Sequence, residues 1–319
     1  MFRYDPIDLE RSSFRLLRIL KGKGLDIHGS IFHARLDLHE SLISYEALSY
    51  TWGSAEAVDS IKINGQRLGI SRNLYVALQH IRLQDQDRIV WVDAICIDQG
   101  NTKERGHQVQ QMGEIYKQAD GVIFWLGQAT YETNIIMDSL RQLREESYRH
   151  ACKSWKRTDR RWMDLWAAAQ VVLRSRHLNL AALQRDGLET LMGRPWFRRV
   201  WILQEVANAK AALVCCGTKS VGARYLALVP LLVGIKPDPH CQTVLDIMPA
   251  PSRNDSWWSQ SRELYTLLKS FGHSEAHDSR DMIYALLGMS SDASDSGVLR
   301  ADYGKSVQEL IRDVSHFLY

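Results

Sequence analysis

Hydrophobic positions along the chain alternate between short continuous runs and helical spacing. "ISYEALSYTWG", 43–53, is rich in β-formers and closes on Trp-Gly, which predicts a strand running into a loop. "IKINGQRLGI", 61–70, alternates apolar and polar positions around Asn64-Gly65 and predicts a hairpin. Leu74, Ala77, Leu78 and Ile81 then follow a helical period. "RIVWVDAICID", 88–98, is almost continuously apolar, as a strand covered on both faces should be, broken at Asp93 and closed by Asp98-Gln99. Asn101 with Glu104 predicts a helix cap, and Val109, Met112, Ile115, Tyr116 and Ala119 continue it as a helix. "GVIFWLG", 121–127, predicts a second buried strand, so 88–127 reads as a βαβ unit with a right-handed crossover.

Residues 131–190 read as charged helices, with Trp162, Leu165, Trp166, Ala169 and Val172 on one apolar face. "PWFRRVWILQEV", 195–206, predicts one helix with two stripes. Trp196, Val200, Leu203, Val206 and Ala207 form its core side; Phe197, Trp201, Gln204, Glu205 and Asn208 form the other. "AALVCCG", 211–217, predicts a short buried strand, and the Pro- and Asn/Asp/Ser-rich "KPDPH" and "PAPSRNDS" predict loops. "SRDMIYALLGM" predicts a helix stopping near Gly288, and Ser306 with Glu309 caps a last amphipathic helix. The sequence stops inside or at the edge of that helix, as expected of a chain that continues beyond Tyr319.

At 319 residues the chain can bury roughly 75% of its unfolded surface without staples. Its five cysteines are odd in number and fit no paired framework, which points to a reducing compartment and a cytoplasmic location. The first twenty residues interleave charge with apolar side chains, and no apolar run approaches the ~20 residues of a membrane span. A net charge of +3 with 24% charged residues makes no case for nucleic acid. The stretch 141–161 holds eight Lys/Arg against three Asp/Glu and reads as a solvated face.

Cys96 with His107 is a candidate nucleophile pair, although a free cysteine is more often a small core residue. No metal site is expected: Cys215, Cys216, His240 and Cys241 lack C-x2-C spacing, and His273 with His277 lacks the H-E-x-x-H glutamate. "GKG" at 22–24 extends to no phosphate loop.

Four blocks concentrate Trp, Asp, Gln and Glu at strand ends and helix starts: "YEALSYTWG", the segment from "WVDAICIDQG" to "VIFWLG", "PWFRRVWILQEVANA" and "DSRDMIYALLGM". In this order they resemble the fungal heterokaryon incompatibility (HET) domain, over most of residues 14–303. The resemblance implies a role in non-self recognition and programmed cell death. It also implies a distant likeness to TIR domains, hence an α/β, flavodoxin-like fold with a central, mainly parallel sheet flanked by helices. Within a single domain over 1–319, residues 14–130 would form the first α/β part and 131–190 a helical insertion. Residues 191–235 would carry the Trp-x-x-x-Glu helix and the next strand, and 236–319 loops and C-terminal helices.

Some TIR domains cleave NAD at the nicotinamide-ribose bond with a glutamate in a Trp-x-x-x-Glu spacing, which is matched here by Trp201 and Glu205. The resemblance thus implies Glu205 as catalytic residue, with Tyr50, Trp52, Gly53, Asp93, Asp98, Gln99, Trp201 and Gln204 lining the site. NAD is the implied substrate, no cofactor is implied, and the implied partners are an upstream recognition protein and further copies of the chain on activation. Chemically, a carboxylate stabilises the oxocarbenium character at the ribose, and an indole holds the cationic ring. The residues alone leave other readings open. Glu205 could pair with Arg198 or Arg199, Asp93 could be a buried anchor, and either indole could be core. The domain could equally act as a self-associating signalling module without chemistry.

Overall fold

The computed structural model describes residues 2–37, 43–53, 58–150, 152, 155–293 and 299–319. Among the described residues nine strands form a single sheet: β1 (Ser13–Ile19), β2 (His28–Arg35), β3 (Glu46–Tyr50), β4 (Asp59–Ile63), β5 (Gln66–Ile70), β6 (Arg88–Trp91), β7 (Gly121–Trp125), β8 (Ala212–Cys216) and β9 (Lys219–Gly222). Their order is β5-β4-β2-β1-β6-β3-β7-β8-β9. The sheet is mixed rather than mainly parallel. Four pairings among the described residues are parallel (β2–β4, β3–β6, β3–β7, β7–β8) and four are antiparallel. The parallel β6-β3-β7-β8 group forms the centre, where helical crossovers cover both faces.

The hairpin at Asn64-Gly65 forms as expected: Asn64 has φ 49° and Gly65 φ 77°, the left-handed pair that a two-residue turn requires. The run at 88–98 is shorter as a strand than its apolar content suggests. β6 ends at Trp91 and a single helical turn, α2 (Asp93–Cys96), follows, its amides bonding back to the Val92 carbonyl. β1 and β2 were not expected as strands, because Arg15 and Arg18 interrupt the apolar pattern of the first and Gly, Ser and His that of the second. One of these, Arg15, is itself buried.

Register partners share a face, so Ala47 lies beside Trp91 and Ser49 beside Phe124. Against that face lie Tyr116 of α3 (Thr102–Gln118), with ring centroids 5.3 Å from Trp91, and Trp196, 5.1 Å from Phe124. Trp125 projects to the opposite face. There His80 of α1 (Arg72–Ile81) stacks at 4.9 Å and Asn73 accepts the indole N–H at 3.1 Å. The chain therefore leaves β3 toward α1 on one face and leaves β6 toward α3 on the other. This reversal of direction falls at β3, and ligands bind beyond the carboxyl end of such a strand in sheets of this kind.

Residues 131–192 form α4 (Tyr131–Arg149), α5 (Arg161–Ala169), α6 (Val171–Arg176) and α7 (Leu180–Met192). The single apolar face expected across 162–172 breaks at Gln170, and Val172 is exposed while Trp162, Leu165 and Trp166 are buried. Gly187 of α7 packs directly on α4, where an added Cβ would lie 2.3 Å from the Glu132 carbonyl oxygen. Gly187→Ala should therefore lower the free energy of unfolding by ~1–3 kcal/mol, read from urea denaturation. Of the basic stretch 141–161, residues 151, 153 and 154 lie outside the described residues. Arg149, Lys156, Arg157 and Arg161 pair with Glu146, Asp255, Asp246 and Asp159.

The helix expected over 195–206 is interrupted. A 3₁₀ turn covers Pro195–Arg198, and α8 begins only at Ile202 (Ile202–Asn208). Between them Arg199 has an extended backbone and Val200 lies in a turn. The Glu275 amide donates to the Arg198 carbonyl at 2.6 Å, and the Val200 amide to the Glu275 carbonyl at 3.0 Å. The rest of the chain forms α9 (Ala223–Val233), α10 (Pro239–Asp246), α11 (Leu264–Phe271), α12 (Asp281–Leu287) and α13 (Val307–Leu318). Ser306 and Glu309 make the expected capping box. Among the described residues no helix is long and apolar enough to cross a membrane.

Candidate active site

The carboxyl ends of β3 and β6 carry the first members of the site. Tyr50 is the last residue of β3 and is buried, and Trp52 follows it with 39% of its surface exposed. Asn73 holds this exit in position, donating to the Thr51 carbonyl at 2.5 Å. Gly53 then turns with φ 74°, in the left-handed region that a glycine enters without penalty. Asp93, directly after β6, is only 5% exposed. Its Oδ2 accepts the Trp52 indole N–H at 2.7 Å and its Oδ1 the Ala94 amide at 2.7 Å, so the two strand ends are tied by their own candidate residues.

α8 delivers Glu205 to the same place. It is 1% exposed, and its Oε2 has no hydrogen-bonding partner among the described residues. Burial, the largest influence, raises its pKa from the ordinary 4.5 to about 7. The positive Arg199 opposes this, the Asp93 charge reinforces it, and the hydroxyls of Ser49 and Tyr116 oppose it. Ser49 Oγ accepts the Trp196 indole N–H at 2.8 Å, which leaves its own proton for Glu205. The Tyr116 proton has two acceptors, the Leu48 carbonyl at 3.2 Å and Glu205.

Arg199 completes the cluster. Its Nη1 donates to the Tyr50 carbonyl at 2.5 Å, its Nη2 lies 3.6 Å from Asp93 Oδ2, and its Cζ is 5.6 Å from the centre of the Trp52 ring. Burial and the Asp93 charge push the Tyr50 phenol well above its ordinary value, so it stays protonated.

Tyr50, Trp52, Asp93 and Glu205 therefore meet at one strand edge. Gln99 supports them from behind, donating to the Asp93 carbonyl at 3.1 Å. Asp98 is occupied in its own turn, its carboxylate accepting the Gly100 amide at 3.1 Å while its amide bonds Glu104. Trp201 and Gln204 turn away toward α12. The Trp201 indole donates to Asp281 at 3.1 Å and the Gln204 amide to the Tyr284 carbonyl at 3.2 Å. The indole bonded to Asp93 is thus Trp52, while Trp201, at the N-cap of α8, is bonded to Asp281. Ser49, Asn73, Tyr116 and Arg199 were not anticipated. Only Arg199 left a trace in the sequence, as a cation close to Glu205.

The five cysteines are buried free thiols. Burial pushes Cys96 up to about 12, the reverse of what a nucleophile needs, and His107 is turned to the Arg11 carbonyl. A cavity of about 380 Å³ lies elsewhere, beside β1 and β2, lined in part by Phe14, His33, Tyr45 and Gln118. The carboxylates occupy closely packed surroundings instead.

The family described as heterokaryon incompatibility protein (HET) matches residues 45–205. The chain belongs to this family. The HET match opens at β3 and closes on Glu205, so it takes in every candidate site residue and leaves β1, β2 and the helices after β9 outside. Heterokaryon incompatibility protein 6, OR allele, of Neurospora crassa is 27% identical over 355 residues, an alignment taking in 96% of this chain and 52% of that protein. The chain thus spans about half the length of this curated HET relative. No solved structure matches.

Proposed function

We propose that this chain is a TIR-like HET domain acting in fungal incompatibility and cell death, and that it hydrolyses NAD through Glu205. The observation that carries the chemistry is a carboxylate 1% exposed, with one oxygen unpartnered among the described residues, at the strand end where the sheet reverses direction. The parallel strands, taken in chain order, lie second-first-third-fourth (β6-β3-β7-β8), the arrangement of flavodoxin-like sheets.

In the proposed reaction the bond between ribose C1′ and the nicotinamide nitrogen breaks with its electron pair going to the ring. Nicotinamide leaves neutral, so the step requires no general acid. Water then forms the new C1′–O bond and releases a proton, giving ADP-ribose. Ionised Glu205 steadies the positive charge that builds on the sugar. Because its pKa stands at about 7, kcat/KM should fall roughly tenfold per pH step below about 7 and level off above it, as read from a pH–rate profile.

A second reading, a module that signals by self-association, is favoured by the closed state of the site, with Glu205 shut from solvent. NAD incubated with the protein over a range of protein concentrations separates the two. The enzymatic reading expects nicotinamide and ADP-ribose in equal amounts, rising more than linearly if copies activate one another, and absent in Glu205→Gln. Assembly with no product at any concentration would overturn it.

A further inference from the structure

If Glu205 is the reacting carboxylate, Arg199 has no place in the reaction, yet it fills the middle of the site. Its guanidinium lies between an indole face, a carboxylate and a backbone carbonyl: Trp52 at 5.6 Å from Cζ, Asp93 at 3.6 Å from Nη2 and Tyr50 O at 2.5 Å from Nη1. A planar aromatic cation needs the same three features, a ring to stack on, a negative charge in reach and an acceptor at its edge.

Two observations argue against a plain structural ion pair. Asp93 is organised without the arginine, since its closer bonds, both 2.7 Å, go to the Trp52 indole and the Ala94 amide. Arg199 reaches it from the extended break between the 3₁₀ turn and α8, where two backbone hydrogen bonds join Arg198 and Val200 to Glu275. The space is built from β3 and β6, and its occupant comes from a separate segment held by a small clamp.

We propose that the space between Trp52 and Asp93 is a subsite for a planar, positively charged aromatic ring, and that Arg199 is its resting occupant. Exchange of one cation for another keeps the local charge constant, so oxidised NAD can displace the guanidinium where reduced NAD, with a neutral ring, cannot. The guanidinium charge also acts on Glu205, so displacement changes the surroundings of the reacting carboxylate and couples substrate class to the state of the site. The proposal rests on the reading of Glu205 given above.

The test uses Glu205→Gln, which removes turnover, with and without Arg199→Met. Binding of 1-methylnicotinamide, a cation methylated on the ring nitrogen, and of nicotinamide, its neutral counterpart, is measured by calorimetry. The double variant should bind the cation about tenfold tighter than the single variant and the neutral ring no better, and guanidinium ion should compete with the cation. With Glu205 intact, Arg199→Met should turn over NAD at protein concentrations where the parent chain does not. Equal binding with and without Arg199, or a gain for the neutral ring, overturns the subsite. If Arg199→Met does not fold, Arg199→Lys replaces it. That variant keeps the charge without the planar stack, so it should show a smaller gain in cation binding, and no gain overturns the proposal. Cation binding in the double variant with no turnover in any Glu205-containing chain would retain the subsite and remove the catalytic reading. Turnover in the parent chain with unchanged ring binding would do the reverse.

Discussion

Glu205→Gln should lower nicotinamide release by at least ~10²-fold, the usual cost of losing a group aimed at transition-state charge, and at the same time make the chain more stable above pH 7. The second effect follows from burial. A carboxyl raised from 4.5 in the unfolded chain to about 7 in the folded one holds its proton more tightly when folded. Its favourable contribution is complete below about 4.5 and is lost as the pH rises through about 7, for a total of about 3 kcal/mol. Glutamine carries no charge to bury and should not show that decline. Urea unfolding at pH 5 and pH 8 reads the effect: parent and variant should be close at the lower pH, with the variant ahead at the higher. A variant less stable at both would mean that the carboxylate serves the fold.

The largest stability loss is expected at a residue with no part in the chemistry. Arg15 of β1 is buried and meets Glu104 of α3 through two bonds, 2.6 and 3.0 Å, and its remaining donors reach the carbonyls of Cys96 and Asp5. Arg15→Met leaves Glu104 charged and unpaired in the interior, a change that costs ~3–5 kcal/mol in comparable buried pairs. Removing both partners, Arg15→Met with Glu104→Met, should recover most of that loss, which separates the cost of an abandoned charge from the value of the pair. Glu104 also accepts the Asp98 amide at 2.7 Å, so the single variant should loosen the loop behind Asp93 and reduce activity beyond what the lost stability explains.

These two predictions differ in how far the sequence foretold them. The βαβ unit, the hairpin at Asn64-Gly65, the cap at Asn101 and the helix ending at Gly288 were legible because each depends on local spacing or turn chemistry. β1 was not, because a buried arginine looks polar in a pattern and becomes core only once Glu104, 89 residues away, neutralises it. Outside the central parallel group the described pairings are antiparallel except β2–β4. These pairings are set by partners that periodicity does not record.

In the site, Trp52 and Asp93 could be read as strand-end residues, and Glu205 as an acid on a helix expected over 195–206. The spacing of Trp201 and Glu205 was also plain. What spacing did not reveal was that a bridge to Glu275 interrupts the helix at Arg199, that Arg199 lies over Trp52 and that Trp201 is bonded to Asp281. A pairing between residues 199 and 275 leaves no local signature. The roles of Ser49 and Tyr116 likewise come from packing, the first on a strand face and the second in an apolar helical stripe.

Direct titration of the Glu205 side-chain carboxyl carbon by NMR, assigned by comparison with Glu205→Gln, tests most closely whether this acid is held for chemistry. A midpoint of about 7, with no salt bridge forming at lower pH, is the predicted result. A midpoint at or below the ordinary 4.5 would identify a paired, structural carboxylate and contradict the account.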